Sequence, residues 1–70
     1  MYKIWFTGYE SPIGNFKTLT EARRELNVYK QEDKIECRQK FGTAQVTGSK
    51  DSYRVKFGMN LWSAAGIIKV

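Results

Sequence analysis

Histidine is absent from this 70-residue chain, cysteine and proline occur once each, and the apolar residues form no long uninterrupted run. With no histidine and Cys37 alone, the usual structural zinc sets cannot be assembled and no internal disulfide can form. The missing histidine also removes the commonest general acid and base near neutral pH. A non-enzymatic protein without catalytic residues, metal ligands or cofactor is therefore expected. A membrane span needs about 18 or more apolar residues in succession, and none are present. Met1-Tyr2-Lys3 leads into an alternating stretch and not into a basic segment followed by an apolar one, so a cytoplasmic protein with no membrane partner is expected.

Phosphate-cradling loops are missing too. The glycines at 8, 14, 42, 48, 58 and 66 make neither G-x-G-x-x-G nor a Gly-Lys-Ser/Thr element leading into a helix. The seven acidic side chains include no pair whose spacing places both in a shared cleft.

What is there argues for a fold. A chain that is 41% apolar and 14% aromatic is too hydrophobic to remain disordered. Seventy residues make one domain, 1–70, with no room for a second core. Domains this small bury only about 60% of the surface their unfolded chains expose. Aromatic side chains, each able to bury about 150–250 Å², compensate for the few aliphatic ones. One of Trp5 and Trp62 is expected in the core, and an exposed one would mark an interface.

Tyr2, Ile4 and Phe6 alternate with Lys3, Trp5 and Thr7, which predicts a first strand ended by Gly8. Residues 8–15 read as a loop, with Ser-Pro and Gly-Asn pairs. Thr18-Leu19-Thr20-Glu21 has capping-box spacing, so a helix should begin at Leu19. Leu19, Ala22, Leu26 and Tyr29 form its apolar stripe. Glu32 and Asp33 disfavour a helix C-terminus, and the helix is expected to stop near Gln31. From Lys34 to Phe41 the alternation is complete and predicts a half-buried strand, with Ile35, Cys37 and Phe41 inward and Cys37 an inert buried thiol. Gly42 reads as a bulge or turn, followed by β-like residues 43–47. A hairpin loop at 48–52 precedes a strand in which Tyr53, Val55 and Phe57 face inward. Gly58-Met59-Asn60 is the next connection. Leu61 to Val70 is a final strand bent at Gly66 or, as the alternative, starts with a helical turn capped by Asn60. The expected fold class is α+β: an antiparallel sheet of three to four strands with one helix on one face, in the order β-α-β-β-β.

Charge is uneven along the chain. Residues 1–33 balance, whereas residues 34–70 carry seven basic side chains against Glu36 and Asp51, so the whole +5 excess lies in the second half. If the apolar alternants face the helix, Arg38, Lys40, Arg54 and Lys56 share the open face of adjacent strands, and Lys3 and Trp5 extend it. Like charges crowded there favour an anionic partner, and the indole offers base stacking or cation–π contact. Solvation of an open face is the structural alternative.

Phe16-Lys17-Thr18-Leu19-Thr20-Glu21-Ala22-Arg23-Arg24-Glu25-Leu26, after a short aromatic strand and before strand hairpins, resembles small bacteriophage or prophage accessory proteins, including anti-CRISPR inhibitors. The resemblance covers about a third of the chain. It implies a stoichiometric inhibitor that binds a host protein or nucleoprotein complex and blocks it sterically, in the host cytoplasm. Many such inhibitors mimic nucleic acid with an acidic surface, and this chain departs from them by being basic. The alternative is a direct DNA- or RNA-binding module using the basic face. An unpaired sheet edge would also permit a homodimer.

Overall fold

Tyr2, Ile4 and Phe6 do turn to one side of a strand, and that side is where the core lies. In a computed structural model, which describes residues 1–58 and 61–70, the elements are β1 (Tyr2–Phe6), β2 (Ile13–Phe16), α1 (Leu19–Phe41), β3 (Gln45–Gly48), β4 (Ser52–Phe57) and β5 (Leu61–Lys69). The five strands form one sheet in the order β2-β1-β5-β4-β3, with every neighbouring pair antiparallel. The single helix packs on one face of the sheet, against β1, β2, β4 and β5. The fold is therefore α+β, with five strands where three to four were expected.

Ile4, Tyr53, Val55 and Ala65 come from the sheet, and Leu26 and Cys37 from the helix, to make the buried cluster; Ala22 is buried beside them. The register explains the sheet's share. Ile4 pairs with Ile67, and Tyr53 and Val55 pair with Ala65 and Ser63, so one parity of each strand points at the helix.

The helix begins as its sequence predicts. The Thr18 hydroxyl accepts from the Glu21 amide at 3.2 Å, and the Glu21 carboxylate reaches back to accept from the Lys17 amide at 3.3 Å. Its end differs. It continues ten residues beyond Gln31, so residues 34–41 are helix and not a strand. The burial pattern shows why: Ala22, Leu26, Tyr29, Asp33 and Cys37, at intervals of four, three, four and four, form one inward stripe. Of the apolar residues in the expected strand only Cys37 is buried, while Ile35 is 55% and Phe41 51% exposed. Glu32 and Asp33 are mid-helix, beyond reach of the terminal dipole charge that argued for a stop. Gly42 is the terminator. It adopts φ 79°, the left-handed region, and its amide donates to the Arg38 carbonyl at 2.8 Å, a helix cap in place of the expected bulge or turn.

Two polar contacts fix the helix to the sheet. The Tyr53 hydroxyl donates to the Asp33 carboxylate at 2.5 Å, a short charge-assisted bond from β4 to mid-helix. The Cys37 thiol lies 3.2 Å from the Thr43 carbonyl and 3.1 Å from that of Lys56, joining the last helical turns to the connection before β3 and to β4. Cys37 is thus buried as expected, but from the helix.

β2 takes three of its four residues, 13–15, from the segment expected as loop. It is a four-residue edge strand whose pairing with β1 shifts register between Tyr2 and Ile4, so Ile13 and Phe16 both pack against the core without period-two spacing. The last segment is a strand from Leu61 to Lys69, not a helical turn. Met59 and Asn60, the connection and the alternative cap, lie outside the described residues.

Burial first, then the hydrogen bond and charge of Asp33, push the Tyr53 phenol above the usual tyrosine range. The unfolded chain loses this proton near pH 10 while the folded one retains it. Tyr53 therefore contributes stability that is complete below about pH 10 and declines as pH rises above it. Tyr53→Phe should lose about 1–3 kcal/mol at pH 7 and show a shallower decline between pH 9 and 11. Urea midpoints across that range test this, and parallel declines for the two proteins would contradict it.

Candidate functional site

The side of the sheet away from α1 is built by the other parity of the same strands. Lys3 and Trp5 on β1 stand opposite Ile68 and Gly66 on β5. Arg54 and Lys56 on β4 stand opposite Ala64 and Trp62 of β5 on one side, and opposite Thr47 and Gln45 of β3 on the other. Among the described residues, these outward positions of β1, β3, β4 and β5 hold three cations and no carboxylate. β1 and β4 flank β5, so the two cationic rows are separated by two strand spacings, about 10 Å.

The two indoles lie on this face with the cations. Trp62 is directly across from Lys56 and diagonal to Arg54; the Arg54 guanidinium is 5.4 Å and the Lys56 ammonium 5.8 Å from its ring centroid. Both distances fall within cation–π range, so the ring holds two like charges close together and offsets their repulsion. Trp5 covers Gly66. A Cβ at residue 66 would lie 2.6 Å from Trp5 Nε1 and 2.9 Å or less from two more ring atoms, so only glycine admits this contact. A groove of about 230 Å³ lies beside Trp5, lined also by Thr47, Ser52, Arg54 and Ala64.

Lys3, Trp5, Arg54 and Lys56 thus share one surface, as the sequence predicts. Arg38 and Lys40 do not. Both are in the last turn of α1, on the opposite side of the sheet, because residues 34–41 are helical. Lys40 is also engaged there, donating to Glu36 at 2.8 Å, and that partner holds its ammonium above the usual lysine range. Neither tryptophan is in the core: Trp5 is 37% and Trp62 36% exposed, which corrects the expectation that one would be buried. The sequence predicts an interface role for Trp62 only if it is exposed, and does not place it on the basic face. Its signal was the parity of Trp62, Ala64, Gly66 and Ile68, usable only once Leu61–Lys69 is known to be a strand.

Asp51 does not offset the cationic face. It sits beside the β3–β4 turn and accepts from Arg23 of α1 at 2.6 Å, which holds the carboxyl below its usual range.

No protein-family model matches this chain, and neither curated proteins nor solved structures give a significant match to it. The site's chemistry is therefore read from its own residues.

Gly66→Ala should displace the Trp5 indole and cost about 1–3 kcal/mol, as overpacking typically does. In a Trp62→Phe background, Trp5 emission should shift to longer wavelength as the ring leaves the sheet. An unchanged melting temperature together with unchanged emission would contradict the close contact.

Proposed function

We propose that the open face of the sheet binds nucleic acid, with single strands preferred over duplexes. The observation that carries this reading is the arrangement of two accessible indoles and three cations, without a carboxylate, on the outward positions of adjacent strands. Lys3, Arg54 and Lys56 supply phosphate contacts, and Trp5 and Trp62 supply stacking surface that any base can use. Unpaired bases can reach such a surface, whereas stacked and paired ones present mainly their edges. A single helix on the far side holds the platform in place and does not cover it.

The second reading is a stoichiometric binder of a host protein or nucleoprotein complex, of the phage-inhibitor type. Trp62, 36% exposed at the start of β5, favours it, because aromatic anchors of this kind carry protein contacts.

Salt separates the two readings. Single-stranded binding through three cations should weaken with a log–log salt slope of about −2, from roughly −0.7 per phosphate neutralised. The double variant Arg54→Ala/Lys56→Ala should reduce that slope to about −0.7. Trp62→Ala should weaken binding by about tenfold with little change in slope. Fluorescence anisotropy with a labelled oligonucleotide of about 12 nucleotides measures all three. An absence of binding at low salt, or a slope untouched by the double variant, would remove the nucleic-acid reading and leave the protein-binding one.

A further inference from the structure

On the helix side of the sheet, at the end where β1 runs out and β5 begins, Phe6, Tyr9 and Tyr29 surround a cleft of about 390 Å³. Phe6 is the shared wall. Its ring centroid is 5.3 Å from that of Tyr9 in a tilted pair and 4.9 Å from that of Tyr29 in an edge-to-face pair. Glu32 and Asp33, successive residues of α1, supply two carboxylates to the same cleft, and Thr7 and Ser63 supply hydroxyls. Asp33 uses one oxygen to accept from Tyr53, which fixes its orientation and leaves its other oxygen without a donor among the described residues. Glu32 is exposed and makes no ion pair among the described residues.

Three aromatic rings around two carboxylates, in a protein of net charge +5, form a local negative potential that the overall composition opposes. Ring faces carry the negative side of the aromatic quadrupole and so add to the carboxylates. Burial first, then the charges of Glu25 and Glu32, push the Tyr29 phenol above the usual tyrosine range, in keeping with that potential. An anion is disfavoured here, and a neutral apolar ligand would leave both carboxylates without compensation. We propose that this cleft binds an alkylammonium group, a protonated amine carried on an aliphatic stem. The ammonium meets Glu32 and the free oxygen of Asp33, while the stem lies against Phe6, Tyr9 and Ile13. Either a lysine side chain of another protein or a free polyamine carries this chemistry. The cleft is on the side opposite the cationic face, so the proposal stands or falls independently of nucleic-acid binding.

The test is an amide-resolved NMR titration of the whole protein with n-butylammonium, using n-butanol as the neutral analogue of the same shape. Saturable shifts confined to residues near Phe6, Tyr9, Tyr29 and Ser63, with n-butanol at least about fivefold weaker, are expected. Glu32→Gln, at an exposed position that should not disturb folding, should weaken the ammonium by about three- to fivefold and leave n-butanol unchanged. Tyr29→Leu should weaken both. Parallel titrations with Nα-acetyl-lysine amide and with spermidine then assign the source by whichever saturates at lower concentration. Equal binding of amine and alcohol, shifts dispersed over the surface, or an unaltered response in Glu32→Gln would overturn the proposal.

Discussion

A single helix of 23 residues, about 35 Å long, can cover one side of a sheet and no more. That limit organises the molecule. β1, β4 and β5 must each send one parity of side chains inward to Ala22, Leu26 and Cys37, and the other parity outward to water. The contact between Tyr53 and Asp33 fixes which way each parity faces, because it ties the outer half of the sheet to the middle of the helix. A slip of one residue in β4 would bury Arg54 and expose Val55.

The two sides therefore differ in chemistry as well as in packing. The uncovered side has to tolerate water, and its lysines and arginine do so at low cost. Its tryptophans do not fit that explanation. Each could have been placed in a core short of large side chains, whose largest fully buried members are Ile4, Val55 and Cys37. Instead both stand outside, one over a glycine that leaves room for it and one between two cations. The helix side carries the opposite charge where Glu32 and Asp33 meet the aromatic cleft. The small domain thus carries a cationic aromatic sheet on one side and an anionic aromatic cleft on the other.

Strands and caps with strong local chemistry were legible in the sequence. The alternation of Tyr2–Phe6 and Tyr53–Phe57 stands in the structure, as does the Thr18–Glu21 cap. Residues 34–41 were misread because alternation of charged and apolar residues is a strand signal only if the apolar ones are buried together. Lys34, Glu36, Arg38, Gln39 and Lys40 are good helix formers, and that propensity agrees with the outcome. The helix takes Arg38 and Lys40 out of the site while leaving Lys3, Trp5, Arg54 and Lys56 in it, since those four depend on strands read correctly. β2 was hidden because a bulged edge strand has no period to detect. Trp62 joins the site through its register with Lys56, a relation between distant residues that local pattern does not contain.

The central claim is that the helix leaves both indoles on the cationic side of the sheet. Quenching of tryptophan fluorescence by iodide and by caesium, each compared with free N-acetyltryptophanamide, tests it directly. Iodide should quench the protein more effectively than caesium by several-fold, because Lys3, Arg54 and Lys56 concentrate the anion and repel the cation, and added salt should narrow the gap. Emission that neither ion quenches would place the indoles in the core, and equal quenching by both would remove the cations from their side; either result contradicts the account.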